Sequence, residues 1–373
     1  MNSNRGSSAK LFEVEYGVCF QVNRLSLFDL LRKSDEYLWS QFVKEEEYNT
    51  QALDRLGRFP HTASKFRNVL QPAVSDFLLA NGLEVTYPNG SHFAVCLTHD
   101  VDYLYFPRGD SFRSSVRSLK DLELRKAIKW LRAGIKRKST IIQNIPRIID
   151  VETEYNAKSS FFFLAQDESA VDFIYPIKEF EESLGLITDR GFEVGLHGSL
   201  LAYGNQNLLQ TEKRRLEKHL GKKVIGYRNH FLRFELPTTW ELLEKAGFKY
   251  DTTFGYHDAL GFRNGMCHIF QPFNITTNAF VNIWEIPLVI MDRTLLETLS
   301  IDPATAWEMI RQIIDVTEAR QGIIAILWHN SRMFDDLLTL YRKMLRYCSE
   351  KGAWLCSGEE IVSWWSKNKF FVP

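Results

Sequence analysis

Cys96-Leu97-Thr98-His99-Asp100-Val101-Asp102 is an apolar run that ends abruptly in ionisable side chains. Extended backbone turns successive side chains to opposite faces, so Asp100 and Asp102 share one side of the chain while His99 and Val101 point away. In a β/α barrel the C-terminal strand ends ring the active centre, and a hydrophobic strand that delivers two carboxylates there predicts a metal or acid–base site. The plainer alternative is a capped loop with two solvated aspartates.

Reading outward from this run, short β-type stretches alternate with helical ones, the pattern of parallel strands joined by helices. Strands are expected at 93–98, 159–164, 192–196, 224–228, 249–252, 283–291 and 323–328, and helices at 208–220, 238–246, 304–319 and 335–351. Gly221, Gly247 and Gly352 stand where three of these helices need a C-cap. About seven such units predict an α/β fold, a distorted (β/α)7 TIM-like barrel over residues 91–373. Residues 1–90 read as a small helical N-terminal appendage that packs against it: Leu27, Leu30, Leu31, Tyr37 and Leu38 mark one apolar face, 64–83 holds another, and 53–60 between them is turn-like.

The pattern of the first strand recurs. Gly195-Leu196-His197-Gly198-Ser199, Tyr227-Arg228-Asn229-His230, Tyr250-Asp251-Thr252, Trp284-Glu285-Ile286-Pro287 and Ile326-Leu327-Trp328-His329 all close a strand on Asp, Glu, His or Arg. One such histidine is as readily structural as functional; six strand ends of this kind predict a shared site. His99, projecting away from Asp100, is expected to be a structural partner.

Bulk properties narrow the function classes. The 373 residues carry 46 basic and 46 acidic side chains, so no global field steers the protein to nucleic acid. Basic residues gather instead in a helical insertion at about 108–145, with ten between 111 and 138 interleaved with Leu119, Leu122, Ile128, Trp130 and Leu131. That stretch is expected to be a solvated amphipathic insertion or a peripheral contact with anionic lipid. The five cysteines are scattered without CxxC pairs, which predicts reduced, buried thiols and a cytoplasmic location. Neither a signal peptide nor an apolar run long enough for a transmembrane segment is expected. Phe161-Phe162-Phe163 and Trp364-Trp365 read as core, with sugar stacking as the less common use.

In order and content, Thr98-His99-Asp100-Val101-Asp102, His197-Gly198-Ser199, Arg228-Asn229-His230-Phe231, Asp251-Thr252-Thr253-Phe254 and Leu327-Trp328-His329 resemble the five motifs of the polysaccharide deacetylase family, the NodB-homology or carbohydrate esterase type-four group. The resemblance covers residue 93 to the C-terminus and looks like a bacterial subgroup with a helical N-terminal extension. It implies a metal-dependent hydrolase that removes an acyl group, N-acetyl first, from a sugar or glycan precursor. It implies that Asp102 and His197 hold a divalent cation, zinc first, that Asp100 is the base, and that a protonated His329 donates to the leaving amine. Arg228 would then bias Asp100, and Asp251 would tune His329. One departure matters: where the family places a second histidine four residues after the first, this chain has Leu201. Either His230 supplies the third metal ligand, or two protein groups and water suffice, or binding has been lost. Two rival readings therefore stand beside the deacetylase: a catalytically degenerate glycan-binding barrel, and a glycoside hydrolase using carboxylates from among Asp100, Asp102, Asp251 and Glu285.

Overall fold

The computed structural model describes residues 25–103, 142 and 144–368. The basic stretch at 111–138 lies outside them, as does Cys19. Among the described residues, Cys96, Cys267, Cys348 and Cys356 are buried and free, and no helix is long and apolar enough to cross a membrane.

The first helices are α1 (Leu25–Ser34), α2 (Glu36–Val43) and α3 (Ala73–Ala80). The barrel then runs β1 (Phe93–Val101), α4 (Asn144–Thr153), β2 (Ser160–Leu164), α5 (Glu181–Asp189), β3 (Glu193–Gly198), α6 (Gln206–Leu220), β4 (Gly226–Asn229), α7 (Thr238–Lys245) and β5 (Tyr250–Asp251). A small antiparallel hairpin, β6 (Phe273–Asn274) with β7 (Ala279–Phe280), precedes β8 (Trp284–Glu285) and β9 (Leu288–Met291). The chain closes with α8 (Pro303–Glu318), β10 (Ile323–Leu327), α9 (Asp335–Glu350), β11 (Ala353–Cys356) and α10 (Gly358–Asn368).

All main-sheet pairings are parallel, in the order β8-β5-β4-β3-β2-β1-β10-β9. The expected single strand at 283–291 is divided at Ile286-Pro287. Its first half pairs with β5 and its second with β10, so the two ends of the curled sheet are one chain segment. Proline suits that crossover because it has no N–H to donate; its carbonyl accepts from Ala325 N at 2.8 Å. The result is the TIM-like α/β barrel.

Local signals account for most of the surrounding helices. Asp302 caps α8 by accepting from Ala304 N and Thr305 N at 2.9 and 3.1 Å, with Pro303 at the first helical position. Gly221, Gly247 and Gly352 adopt φ near +75°, the left-handed conformation that a C-cap needs. The helix expected over 64–83 is helical only at Ala73–Ala80, because Pro72 disfavours helical backbone in the residue before it. Strand β11 was not foreseen: four residues give too little alternation. It pairs with the first half of β1, Phe93–Cys96, while β2 pairs with Thr98–Val101.

The N-terminal helices share the hydrophobic core with the barrel through Leu27, Leu31, Phe42, Val74 and Leu78. Polar contacts fasten them too. Arg263, buried, gives Nε to Glu47 at 3.0 Å, Nη2 to the other Glu47 oxygen, and Nη1 to Gly255 O at 2.8 Å. Truncating Glu47→Ala strands that guanidinium in the interior and is expected to cost about 3–5 kcal/mol, whereas Glu47→Leu with Arg263→Met costs less. Urea denaturation of the two variants checks this order.

The N-terminal end of the barrel holds a polar floor. Glu193 accepts from Ser160 Oγ at 2.6 Å, Glu359 N at 2.8 Å and Tyr250 Oη at 2.8 Å. Gly358 and Gly226 make room for the Tyr250 side chain, since a Cβ at either would fall 2.3 Å from it. Burial is the largest influence on the Glu193 carboxyl and pushes it up to about 7 from the ordinary 4.5, despite those donors. Between these values the folded protein binds the extra proton, so this group's contribution to stability falls as pH rises through the window, by about 3 kcal/mol in all. Glu193→Gln removes the loss. The stability of the variant relative to wild type is therefore expected to be higher at pH 8 than at pH 4.5, measured by urea midpoints at both.

Candidate active site

Each strand tip contributes through the same local logic: an apolar run buried on both faces is followed by one side chain that emerges at the mouth. Asp100 and Asp102 come from the end of β1, His197 from β3, Arg228 and then His230 from β4, and His329 from just beyond β10. Asp100, Asp102, His197, His230 and His329 line one cleft of about 240 Å³. His99, on the opposite face, packs outward; its two nitrogens meet Trp328 O at 2.7 Å and Glu152 Oε1 at 2.8 Å, beneath Tyr341.

The two aspartates are buried within reach of both β3 and β10. His197 Nε2 is 3.2 Å from Asp102 Oδ1 and 3.7 Å from Asp100 Oδ2; His329 Nε2 is 3.5 Å from Asp102 Oδ2. Arg228 Nε lies 3.3 Å from Asp100 Oδ1. That guanidinium is wholly buried, donates to Thr98 Oγ1 at 2.7 Å and sits 5.2 Å from the centre of the Phe162 ring. It supplies a fixed positive charge beside Asp100.

Each histidine is oriented from behind. The Nδ1 of His197 meets Arg228 O at 3.0 Å, that of His230 meets Asp172 Oδ2 at 3.3 Å, and that of His329 meets Asp292 Oδ1 at 2.6 Å. A donor hydrogen on Nδ1 leaves Nε2 for the cleft. Asp292 accepts from His329 N as well, at 2.8 Å. Burial alone would lower His329, but Asp292, with further help from Asp102 and Asp100, raises it to about 9. Burial likewise opposes charge on His197, and Asp100 and Asp102 overcome it. Asp102 responds in kind: burial would raise its carboxyl, and the three histidines hold it well below the usual range.

Asp251, expected to tune His329, stands elsewhere. It accepts from Thr253 Oγ1 at 2.6 Å and shares a hydrogen bond with Glu285, which accepts from Trp240 Nε1 at 2.8 Å. Burial and the charge of Asp251 hold Glu285 well above the carboxylate range, so the pair keeps a proton. Two wholly buried, hydrogen-bonded carboxyls cannot flank a glycosidic bond, which removes the geometric basis for glycosidase chemistry through Asp251 and Glu285. The position behind His329 belongs to Asp292. Its signal was present in the sequence, because Asp292 directly follows the apolar run of β9, but the same stretch offered Glu285 first. Asp172 lies in a loop without periodicity and carried no such signal.

Leu201 is 49% exposed and is not among the residues lining the cleft. His230 takes up the space near the ion-binding donors instead: Asp102, His197 and His230 each present a ligand atom within 4.8 Å of the others, and so do Asp100, Asp102 and His329. The residues fit a divalent cation. Asp100 Oδ1 and Asp102 Oδ1 are buried oxygens without a hydrogen-bond partner, surrounded by nitrogen and oxygen donors of the type that zinc takes.

Neither a family model nor a curated protein matches the chain. Solved structures do. A crystal structure assigned as a polysaccharide deacetylase from Mycobacterium smegmatis is 18% identical with TM-score 0.54, covering 78% of this chain and 96% of that one. PuuE allantoinase is 14% identical with TM-score 0.54 over 77% and 94%, and a structure assigned as a polysaccharide deacetylase from Pseudomonas aeruginosa PAO1 is 15% identical with TM-score 0.53 over 77% and 95%. At these identities the likeness shows architecture, and the architecture of this chain is the NodB-type polysaccharide deacetylase fold.

Replacing Asp292 by Asn keeps the shape and removes the charge behind His329. In chelator-treated protein the His329 imidazole is expected to titrate lower in Asp292→Asn, by roughly 1–3 units. NMR titration of the His329 ring protons checks this, with Asp251→Asn as the comparison that leaves His329 nearly unmoved.

Proposed function

We propose that this protein hydrolyses an amide-linked acyl group, N-acetyl first, from a sugar or glycan precursor, with a divalent cation, zinc first, held by Asp102, His197 and His230. The observation that carries this reading is the convergence of three donors from separate strand ends within 4.8 Å, with the far nitrogen of both imidazoles already engaged. The two neighbouring folds assigned as deacetylases, and the allantoinase beside them, support hydrolysis of a C–N bond. Four buried free thiols support a reducing compartment such as the cytoplasm.

When bound, the cation would polarise the acyl carbonyl and acidify a water molecule. The residues of the chain do the rest. Asp100 accepts the proton of the attacking water, and the Arg228 guanidinium, 3.3 Å from its Oδ1, orients that carboxylate. His329, protonated and fixed by Asp292, gives its Nε2 proton to the departing nitrogen. Asp172 positions His230, and the carbonyl of Arg228 positions His197. The products are the free amine and the carboxylate of the acyl group. This division needs a base and an acid on opposite sides of one mouth, which a glycan-binding barrel would not require.

Calorimetric titration with zinc is expected to give one site per chain, and acetate release from N-acetylated sugars is expected to stop on chelation. Asp172→Asn should weaken the metal by about 10–100-fold through loss of orientation at His230. Leu201→His should leave the affinity unchanged, because that side chain points to solvent. No uptake of metal together with no release of acetate would favour a binding barrel, and tighter binding in Leu201→His would remove His230 as the third ligand.

A further inference from the structure

The N-terminal segment does more than cover the barrel: the turn at 53–60 forms part of the cleft wall. Arg55, Leu56 and Arg58 line the cleft together with the candidate catalytic groups, Arg293 and Glu297. The turn is built rigidly. Asp54 Oδ1 accepts from Leu56 N and Arg58 N, both at 2.9 Å, its carbonyl accepts from Gly57 N at 2.9 Å, and Gly57 takes φ +73°. Arg58 is bound on both sides: Nε and Nη2 go to Asp54 Oδ2 at 2.9 and 2.7 Å, and Nη1 donates to Phe231 O at 3.0 Å. Phe231 stacks on His230 with ring centres 4.0 Å apart. The turn is thereby tied to the residue beside a candidate metal ligand.

This leaves the outer wall with uncompensated positive charge. Arg58 is matched by Asp54, and Glu297 is shared by Arg293, at 3.1 Å, and Arg332. Arg55, exposed at the tip of the turn, has no ionic or hydrogen-bonded partner among the described residues. The cleft is therefore polarised, with carboxylates on its floor where a cation would sit and guanidiniums at its rim. Arginine forks are suited to carboxylate and phosphate oxygens, and a charge-assisted pair in a partly enclosed cleft is stronger than a neutral contact.

We propose that Arg55, with Arg293 of the same cleft lining, receives an anionic substituent of the sugar, a phosphate or a carboxylate, so that the N-terminal turn selects acidic over neutral acyl-amino sugars. The inference rests on the deacylation reading for the identity of the sugar but not for its test, which is binding without turnover. Full-length protein is titrated by calorimetry with N-acetylglucosamine, N-acetylglucosamine 1-phosphate and N-acetylmuramic acid. At least one anionic sugar is expected to bind about tenfold or more tightly than the neutral one, the size of one charge-assisted hydrogen bond. The advantage should shrink as salt is raised. Preference for the phosphate arm, the carboxylate arm or both names the source of the anion.

In Arg55→Gln the ratio of anionic to neutral affinity is expected to collapse toward one, while Arg346→Gln, an equal loss of charge on an exposed face of α9, retains it. Equal affinity for all three sugars, or the same drop in both variants, overturns the proposal. Acetate release from sugars of both kinds, with an anionic-to-neutral affinity ratio that Arg55→Gln leaves unchanged, would sink the anionic subsite and leave the hydrolase standing. An Arg55-dependent preference without any acetate release would do the reverse.

Discussion

Two carboxylates buried side by side at the end of one strand set the terms for the rest of this molecule. Asp100 and Asp102 are almost without solvent, and ionised groups so placed are tolerated only when charge or a metal answers them. Arg228 answers Asp100 from β4, with β2 and β3 between, while His197 and His329 flank Asp102. Every one of these partners arrives at the tip of a different strand. The barrel is the means by which residues up to 229 positions apart reach one mouth, and its parallel register makes all of them emerge on the same side.

The two ends of the barrel use buried acids differently. At the floor, Glu193 is locked among Ser160, Tyr250 and a backbone amide, a hydrogen-bonded plug that joins strands to the last helix. In the wall, Asp251 and Glu285 share a proton and hold β5 against β8. At the mouth, Asp100 and Asp102 instead line a cleft, and their neighbours are the Arg228 guanidinium and imidazole nitrogens in ion pairs. Residue type alone does not separate these cases. Environment does: enclosure among strands and helices marks a structural acid, and an unsatisfied oxygen facing a cleft marks one available for chemistry.

The N-terminal segment is bound to the same chemistry. Its helices complete the hydrophobic core, Glu47 neutralises Arg263, and its turn grips the backbone beside His230. Phe231 there takes φ +60°, a conformation that costs a non-glycine residue about 1–2 kcal/mol and that the Arg58 contact helps to hold. A change in the appendage would thus be felt at the cleft without touching a candidate catalytic group.

The strand-by-strand alternation of hydrophobic runs and terminal polar residues was legible in the sequence, since period and chain direction alone determine which side chains share a face. That sufficed for the barrel, the helix caps, the aspartate pair, and the histidines at 197, 230 and 329. What only the tertiary structure decided was who stands behind whom. Asp292 rather than Asp251 orients His329, Asp172 from an aperiodic loop orients His230, Leu201 faces solvent, and a turn more than thirty residues ahead of β1 supplies part of the wall. Such pairings depend on angles between elements and on the course of loops, and no local pattern encodes them, because the partners meet only after the sheet has curled.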